Sequence, residues 1–460
     1  MTLDAYIDTI LDKRICVIGA GVSNTPWIEK LLQRGCHVTV RDRREANAME
    51  GEAERLSSLG AQLRLGADYL DDLDEQIIFR TPGLLPFDEH LVEARRRGCL
   101  VTSEMELFCR LCPCPIIAVT GSDGKTTTTT IISELMKAAG YRVHLGGNIG
   151  TPLLCELPDF CADDWAILEL SSFQLHSMDC RPRVAVITNL SPNHLDKHLD
   201  FQDYADAKRS IFLGQQPGDR LILNREDANS DAYAASAPAE VCWFSDRREI
   251  DHGAILRDGK IFRVGGDRDE YIMDAEEILL PGSHNVQNYL AAFAAVEGLV
   301  GAAVCRDVAM RFAGVEHRLE RVRVLHGVTY INDSIASSPT RTIAGLHALK
   351  TKPVIILGGY DKHIPFDELG DELCRSAKCV VLTGATAPLI RSAVESSPFF
   401  EVSGLPIIEE GDFRRAVLAA SAAAGEGDIV ILSPACASFD HFRNFAERGR
   451  TFKAIVKELE

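Results

Sequence analysis

The segment Thr120-Gly-Ser-Asp-Gly-Lys-Thr-Thr127 gathers residue types suited to holding a triphosphate. Glycine at 121 and 124 lets the backbone wrap closely, so that successive N–H groups and a helix N-terminus face the phosphate oxygens. On this reading Gly121, Ser122, Asp123, Gly124, Lys125, Thr126 and Thr127 form an ATP site. Lys125 would lie against the β- and γ-phosphates and the Thr126 hydroxyl would ligate Mg²⁺. The loop is shorter than the usual phosphate loop, because Val119 stands where its first glycine would be. An apolar strand before it (Ile116–Val119) and a helix-compatible stretch after it (Thr128–Ala139) supply the context that a chance turn lacks. A second glycine turn, Gly19-Ala-Gly-Val-Ser-Asn24, precedes Asp42 by one strand and has the form of a dinucleotide fingerprint, with Asn24 replacing its third glycine. Alone, that turn suggests an NAD-dependent dehydrogenase.

These residues need strands to carry them. Apolar runs predict strands at Arg14–Gly19, Cys36–Arg41 and Gln76–Phe79, then at Ile116–Val119, Ala166–Leu168, Val184–Ile187 and Leu221–Leu223. Shorter pieces at Val241–Phe244, Ala254–Leu256 and Ile261–Val264 predict a small antiparallel appendage, followed by an alanine-rich helix beyond Asn288. A third series opens near His317, with strands at Val328–Ile331, Val354–Leu357, Cys379–Leu382 and Ile429–Leu432. The alternation predicts an α/β protein of three domains. These are a Rossmann-like N-terminal domain (1–114), a central P-loop-type ATPase domain with a mainly parallel sheet and the appendage (115–315), and a Rossmann-like C-terminal domain (316–460).

The order of the remaining motifs resembles the Mur ligase family, whose shortened phosphate loop matches residues 120–127. In sequence come Gly146-Gly-Asn-Ile-Gly150, Leu168-Glu-Leu-Ser-Ser-Phe-Gln174, Asn189-Leu-Ser-Pro-Asn-His-Leu-Asp196 and Gly282-Ser-His-Asn-Val-Gln-Asn288. Glu316-His-Arg318, Asn332-Asp-Ser334, Gly358-Gly-Tyr-Asp-Lys362 and Leu432-Ser-Pro-Ala-Cys-Ala-Ser-Phe-Asp440 follow. The last is most similar to the branch that adds D-glutamate to UDP-N-acetylmuramoyl-L-alanine.

The resemblance implies an ATP-dependent amide ligase that passes through an acyl phosphate and a tetrahedral intermediate, releasing ADP and phosphate in peptidoglycan precursor synthesis. Bringing a carboxylate to a γ-phosphate calls for cations between them. It implies two Mg²⁺ ions, with Thr126, Glu169, His194 and a carbamylated Lys208 as ligands, and a catalytic set of Lys125, His194 and Lys208. Read from the residues alone, Lys208 is an exposed helix lysine and His194 a loop histidine. Asn285 and Asn288 share a helix face; the resemblance places them near adenine, whereas Ser283 at the same terminus suggests capping. Arg318 and Asp333 are implied as further ATP contacts. Ser23, Asn24, Asp42, Arg44, Thr81 and Gly83 are implied to hold the uridine diphosphate end of the substrate, and Asn148, Ser171 and Gln174 its muramoyl-alanine arm. Ser337, Lys362, Ser438, Phe439 and Phe445 are implied to bind D-glutamate.

The chain departs from the family where many members carry Lys after Asp-Ser, since Ile335 stands there, and Arg341 is expected to compensate. Asn193 replaces the common Asp before His194, which bears on how that histidine is oriented. A folylpolyglutamate synthase would not need the first domain, and the L-alanine-adding ligase is the nearest alternative within the family. A net charge of −18 over 460 residues argues against nucleic acid and anionic membranes as partners. No run approaches a membrane span and the N-terminus does not read as a signal peptide, so a cytoplasmic monomer is expected. The fourteen cysteines are expected to be free, Cys109, Cys112 and Cys114 included.

Overall fold

In the computed structural model, the described residues are 1–460 except 50, 192–196, 267, 281, 350, 362 and 363. His194 and Lys362 therefore lie outside the described residues. The chain divides into two compact units, Met1–Phe312 and Ala313–Glu460.

The first unit holds two sheets. One is entirely parallel, built from β1 (Arg14–Ile18), β2 (His37–Asp42), β3 (Gln62–Leu65), β4 (Ile77–Phe79) and β5 (Leu100–Thr102) in the order β3-β2-β1-β4-β5. The other comprises β6 (Ile116–Thr120), β7 (Val143–Gly147), β8 (Trp165–Glu169), β9 (Val184–Ile187), β10 (Arg220–Asn224), β11 (Glu240–Ser245), β12 (Gly253–Arg257), β13 (Lys260–Val264) and β14 (Glu270–Asp274). Their order is β14-β13-β12-β11-β10-β9-β6-β8-β7. The second unit has β15 (Glu320–Leu325), β16 (Val328–Asn332), β17 (Val354–Leu357), β18 (Cys379–Leu382), β19 (Ile407–Glu409) and β20 (Ile429–Leu432), ordered β15-β16-β20-β17-β18-β19.

Strand β6 shows why the inner strands are apolar throughout. Ile116 and Ala118 join one buried cluster, while Ile117 and Val119 join another on the opposite face. A parallel strand covered by helices on both sides has no solvent face to mark with polar residues. The six strands that the apolar runs do not reveal, β3, β5, β7, β14, β15 and β19, are the two edges of each sheet. Edge strands are short and partly exposed, and their mixed composition hides them.

The antiparallel appendage is smaller than the sequence predicts. Strand β12 pairs parallel with β11, and only β12–β13 and β13–β14 are antiparallel. Strand β12 overlaps only Trp243–Ser245 of β11, so the short connection 246–252 has little distance to retrace.

Two helices frame the phosphate loop. The first, Lys125–Ala138, begins three residues earlier than the sequence predicts, directly after Gly124. The second, Ser283–Ala295, is buried along most of its length, and its alanines allow close approach to β10, β11 and β12. All fourteen cysteines are free. Cys109 and Cys180 place their sulfurs 3.7 Å apart, and Cys112 and Cys114 theirs 3.5 Å apart, without three of them converging as metal donors.

Candidate functional site

In an open parallel sheet, ligands bind beyond the carboxyl ends of the strands where the strand order reverses. In the nine-stranded sheet that place is β6, flanked by β8 and β9. The phosphate loop leaves β6 here. Gly121 has φ +147, and a Cβ on it would lie 1.9 Å from Thr188 Oγ1, so only glycine fits. Gly124 has φ +77, and a Cβ on it would lie 2.3 Å from Asn288 Oδ1. The residues after β9 brace the loop. Asp123 N–H donates to Asn189 Oδ1 at 2.9 Å, while Thr188 Oγ1 and Asn189 Nδ2 donate to Asp123 O. Ser122 Oγ donates to Ser191 O, accepts from Ser191 N–H, and lies 2.9 Å from the Tyr204 hydroxyl. Thr188, Ser191 and Tyr204 were not singled out by the sequence reading, because bracing from distant strands leaves no local pattern.

Lys125 Nζ donates to Gly121 O and Ser122 O, both at 2.9 Å. Lys208 Nζ donates to the same Gly121 O at 2.8 Å. Lys208 is 1% exposed, which overturns its reading as an exposed helix lysine. It lies on the inner face of the helix Phe201–Leu213, beside Tyr204 and beneath the loop. Burial first, and then the charge of Lys125, push its amine well below the usual lysine range.

Glu169 ends β8 and is 1% exposed. Its Oε1 accepts from Asn148 Nδ2 at 2.8 Å, whereas Oε2 is buried with no hydrogen-bond partner among the described residues. Asn148 thus orients Glu169, and its own N–H also donates to Glu169 O. Ser171 and Gln174 form a reciprocal capping box that fixes the short helix Ser172–Leu175. Asn288 Nδ2 donates to Asn285 Oδ1, and Asn288 Oδ1 accepts from Thr128 Oγ1. The helix starts after Gly282, which has no side chain to cap it.

In the five-stranded sheet the order reverses between β1 and β4. The turns after these strands touch there, since a Cβ on Gly19 would lie 3.2 Å from Thr81 Cβ. Asp42 accepts from Ala20 N–H, from Arg44 N–H and from the Arg44 guanidinium. Burial opposes its charge, but these donors outweigh it and hold the carboxyl below the usual range. Asn24 donates to Ile18 O and Gly19 O, sealing the turn that a third glycine would otherwise tighten. Ser23 and Gly83 are exposed and Thr81 is half-buried, so this end of the sheet stays open.

Within the second unit, the segments after β16, β17 and β20 gather at the carboxyl end of their sheet. Asp333 accepts from Leu319 N–H and from Ser433 Oγ, and burial pushes its carboxyl up to about 6. Arg318 is exposed. Arg341 Nη1 donates to Ile335 O at 3.3 Å, which places its guanidinium at the position that lacks the family lysine. Ser337 is half-buried and Ser438 buried, whereas Phe439 is exposed and meets Tyr360 edge-on. Phe445 lies against His317. Arg448, buried and missed by the sequence reading, ties the segments together. It donates to Ser334 Oγ and O, Cys436 O and Ala437 O.

Comparison with known proteins agrees with this arrangement. The Mur ligase middle domain model matches residues 119–296, and the Mur ligase, glutamate ligase domain model matches residues 317–436. The UDP-N-acetylmuramoylalanine--D-glutamate ligase of Acetivibrio thermocellus is 46% identical across 100% of this chain and 99% of its own length. That of Clostridium novyi is 44% identical with the same coverage. Among solved structures, MurF from Acinetobacter baumannii shares the fold at TM-score 0.58 and 15% identity, covering 100% of this chain and 99% of its own. The UDP-N-acetylmuramate-alanine ligase of Thermotoga maritima does so at TM-score 0.53 and 17% identity, covering 97% and 99%.

Proposed function

The chain belongs to the Mur ligase family, and from that premise we propose that it joins D-glutamate to UDP-N-acetylmuramoyl-L-alanine at the expense of ATP. The observation that carries the chemistry is the orphaned, buried Oε2 of Glu169 beside the phosphate loop. A buried carboxylate oxygen without a donor fits a divalent cation. Glu169, with Thr126 at the first turn of its helix, would hold Mg²⁺, as would His194 and a carbamylated Lys208 for a second ion. Bound there, Mg²⁺ would draw charge from the phosphate oxygens and relieve their repulsion of the incoming carboxylate.

The chain's own residues supply the rest. Lys125 neutralises the β- and γ-phosphates, and the loop N–H groups hold them in place. The surroundings of the buried Lys208 amine favour its neutral form, which adds carbon dioxide and releases a proton to become an anion. Asn285 and Asn288 border the adenine. Residues 1–114 take the uridine diphosphate, with Asp42 and Arg44 at the uracil. Asn148, Ser171 and Gln174 face the muramoyl-alanine arm. The γ-phosphoryl group passes to the alanyl carboxylate, the amine of D-glutamate attacks the acyl phosphate, and phosphate leaves from the tetrahedral intermediate. Residues 316–460 present Ser337, Lys362, Ser438, Phe439 and Phe445 to D-glutamate. Arg341 replaces the missing cation at Ile335. Among the described residues no helix is long and apolar enough to cross a membrane.

Phosphate release from ATP tests the assignment across UDP-muramoyl acceptors and D- and L-amino acids. Release is expected with UDP-N-acetylmuramoyl-L-alanine and D-glutamate together. Release only with UDP-N-acetylmuramate and L-alanine would overturn it. If Arg341→Ala leaves the D-glutamate KM unchanged while Lys362→Ala raises it, Arg341 has no compensating role.

A further inference from the structure

Strand β4 ends at Phe79, and the next side chain, Arg80, is 1% exposed. No carboxylate among the described residues pairs with it at ion-pair distance, and burial pulls its guanidinium down to about 10. Its donors go to neutral oxygens on two segments. On its own turn, Nη1 donates to Leu84 O at 3.1 Å and to Thr81 O at 3.4 Å. Across from the other sheet, Nη2 donates to Phe173 O at 3.0 Å and to Ser177 Oγ at 2.9 Å, with Nε 3.3 Å from the same hydroxyl.

Burying a cation without a counter-charge is unfavourable, and an apolar side chain would fill the space at lower cost. What guanidinium offers instead is a rigid planar fork with several donors. Here the fork fixes the spacing between two turns that the proposed function assigns to opposite ends of one substrate. The Thr81–Gly83 turn abuts Gly19 at the strand-order reversal of the first sheet. The Ser172–Leu175 helix carries the reciprocally bonded Ser171 and Gln174. Each turn has internal hydrogen bonds of its own, and Arg80 adds two contacts to its own turn and three across to the other.

We infer that Arg80 is a positioning residue that sets the distance between the diphosphate-facing turn and the helix facing the muramoyl-alanine arm, so that the two ends of the acceptor bind as one unit. The inference rests on the functional reading above. Arg80 touches no substrate atom in this scheme. Its contribution is the gain from joining two weakly held ends in a single molecule, which depends on their spacing.

The test compares UDP alone with UDP-N-acetylmuramoyl-L-alanine in the parent, Arg80→Lys and Arg80→Ala proteins, by calorimetry and steady-state kinetics. Arg80→Lys keeps the charge and loses the fork. It should bind UDP as the parent does, yet bind the full acceptor roughly tenfold more weakly, with the acceptor KM raised to match and the ATP KM unchanged. Added guanidinium ion should restore the acceptor KM of Arg80→Ala. If both ligands weaken by the same factor, or neither does, or guanidinium gives no recovery in a protein that melts cooperatively, the inference is wrong. A parent protein that releases no phosphate with the full acceptor and D-glutamate would overturn the functional reading and the inference with it. An active parent whose acceptor-to-UDP affinity ratio survives Arg80→Lys would overturn the inference alone.

Discussion

Replacing Arg448 by Met tests whether the carboxyl end of the sheet in the second unit depends on one buried guanidinium. The side chain is 2% exposed and donates to three carbonyl oxygens, those of Ser334, Cys436 and Ala437, at 3.0, 3.0 and 3.1 Å. Methionine fills much of the same volume but donates nothing. At roughly 2 kcal/mol for each carbonyl left without a donor, the loss is about 6 kcal/mol. Removing the charge returns part of this. Burial pulls the guanidinium down to about 10, a penalty of about 3 kcal/mol at ~1.4 kcal/mol per pH unit. The difference leaves the variant about 3 kcal/mol less stable, a drop of roughly 6–12 °C for a unit of this size.

The same contacts align Ser334, after β16, with Cys436 and Ala437, after β20, so the effect on catalysis is directional. Arg448→Met should raise the KM for D-glutamate while leaving the acceptor KM near that of the parent. Differential scanning calorimetry reads the first effect and phosphate release at varied D-glutamate the second. Arg448→Lys keeps the charge but can serve only some of the carbonyls, and should fall between. A Met variant that melts with the parent and keeps its D-glutamate KM would refute the reasoning, because the carbonyls would then need no donor.

Gly124→Ala forces an L side chain to φ +77 and presses on Asn288 Oδ1, at a strain of about 1–2 kcal/mol. The KM for ATP should rise roughly tenfold without change in the acceptor KM, and an unaltered ATP titration would count against the loop assignment. Asp333 is raised to about 6, so the folded chain keeps a proton that the unfolded chain has released between about pH 4 and 6. Stability therefore falls as pH rises through that window, by about 3 kcal/mol in all. Asp333→Asn should flatten this slope in urea melts between pH 4 and 7, and an unchanged slope would show that the carboxyl is solvated. Lys208→Ala should abolish phosphate release, and acetate or formate should restore part of it. Full activity of the variant without a carboxylate would rule out an anion at that position.

The inner strands were legible because burial on both faces leaves runs such as Val354–Leu357 and Cys379–Leu382 apolar throughout. The edges were not, because a strand such as Gln62–Leu65 carries polar residues along its partly exposed faces. The strand–loop–helix form of residues 116–138 was legible from apolar runs and from glycine and lysine spacing, since it is local. The burial of Lys208 was not, because a helix lysine is turned inward only by what lies 87 residues away at Gly121. Arg80 and Arg448 were invisible for the same reason. Each looks like an ordinary surface residue until its partners arrive from Phe173 and Ser177, or from Ser334 and Cys436. Asn148 was read as a substrate contact; that its amide also donates to Glu169 is a role that strand pairing reveals and spacing does not.

The two lysines explain why this loop belongs to a ligase better than to a simple nucleotide binder. Lys125 and Lys208 both donate to Gly121 O, so two ammonium groups would share one carbonyl oxygen. Burial and the neighbouring charge resolve the conflict by favouring the neutral amine at Lys208. Burial and the Lys125 charge weaken Lys208 as a cation, so for ATP binding alone it would be a poor choice. It is well suited to becoming an anion, since a carbamate there would face Lys125 as an opposite charge. It would also add a second carboxylate-like group near the orphaned oxygen of Glu169. The loop then has one cation for the phosphates and two anions for metal, the balance that phosphoryl transfer to a carboxylate demands.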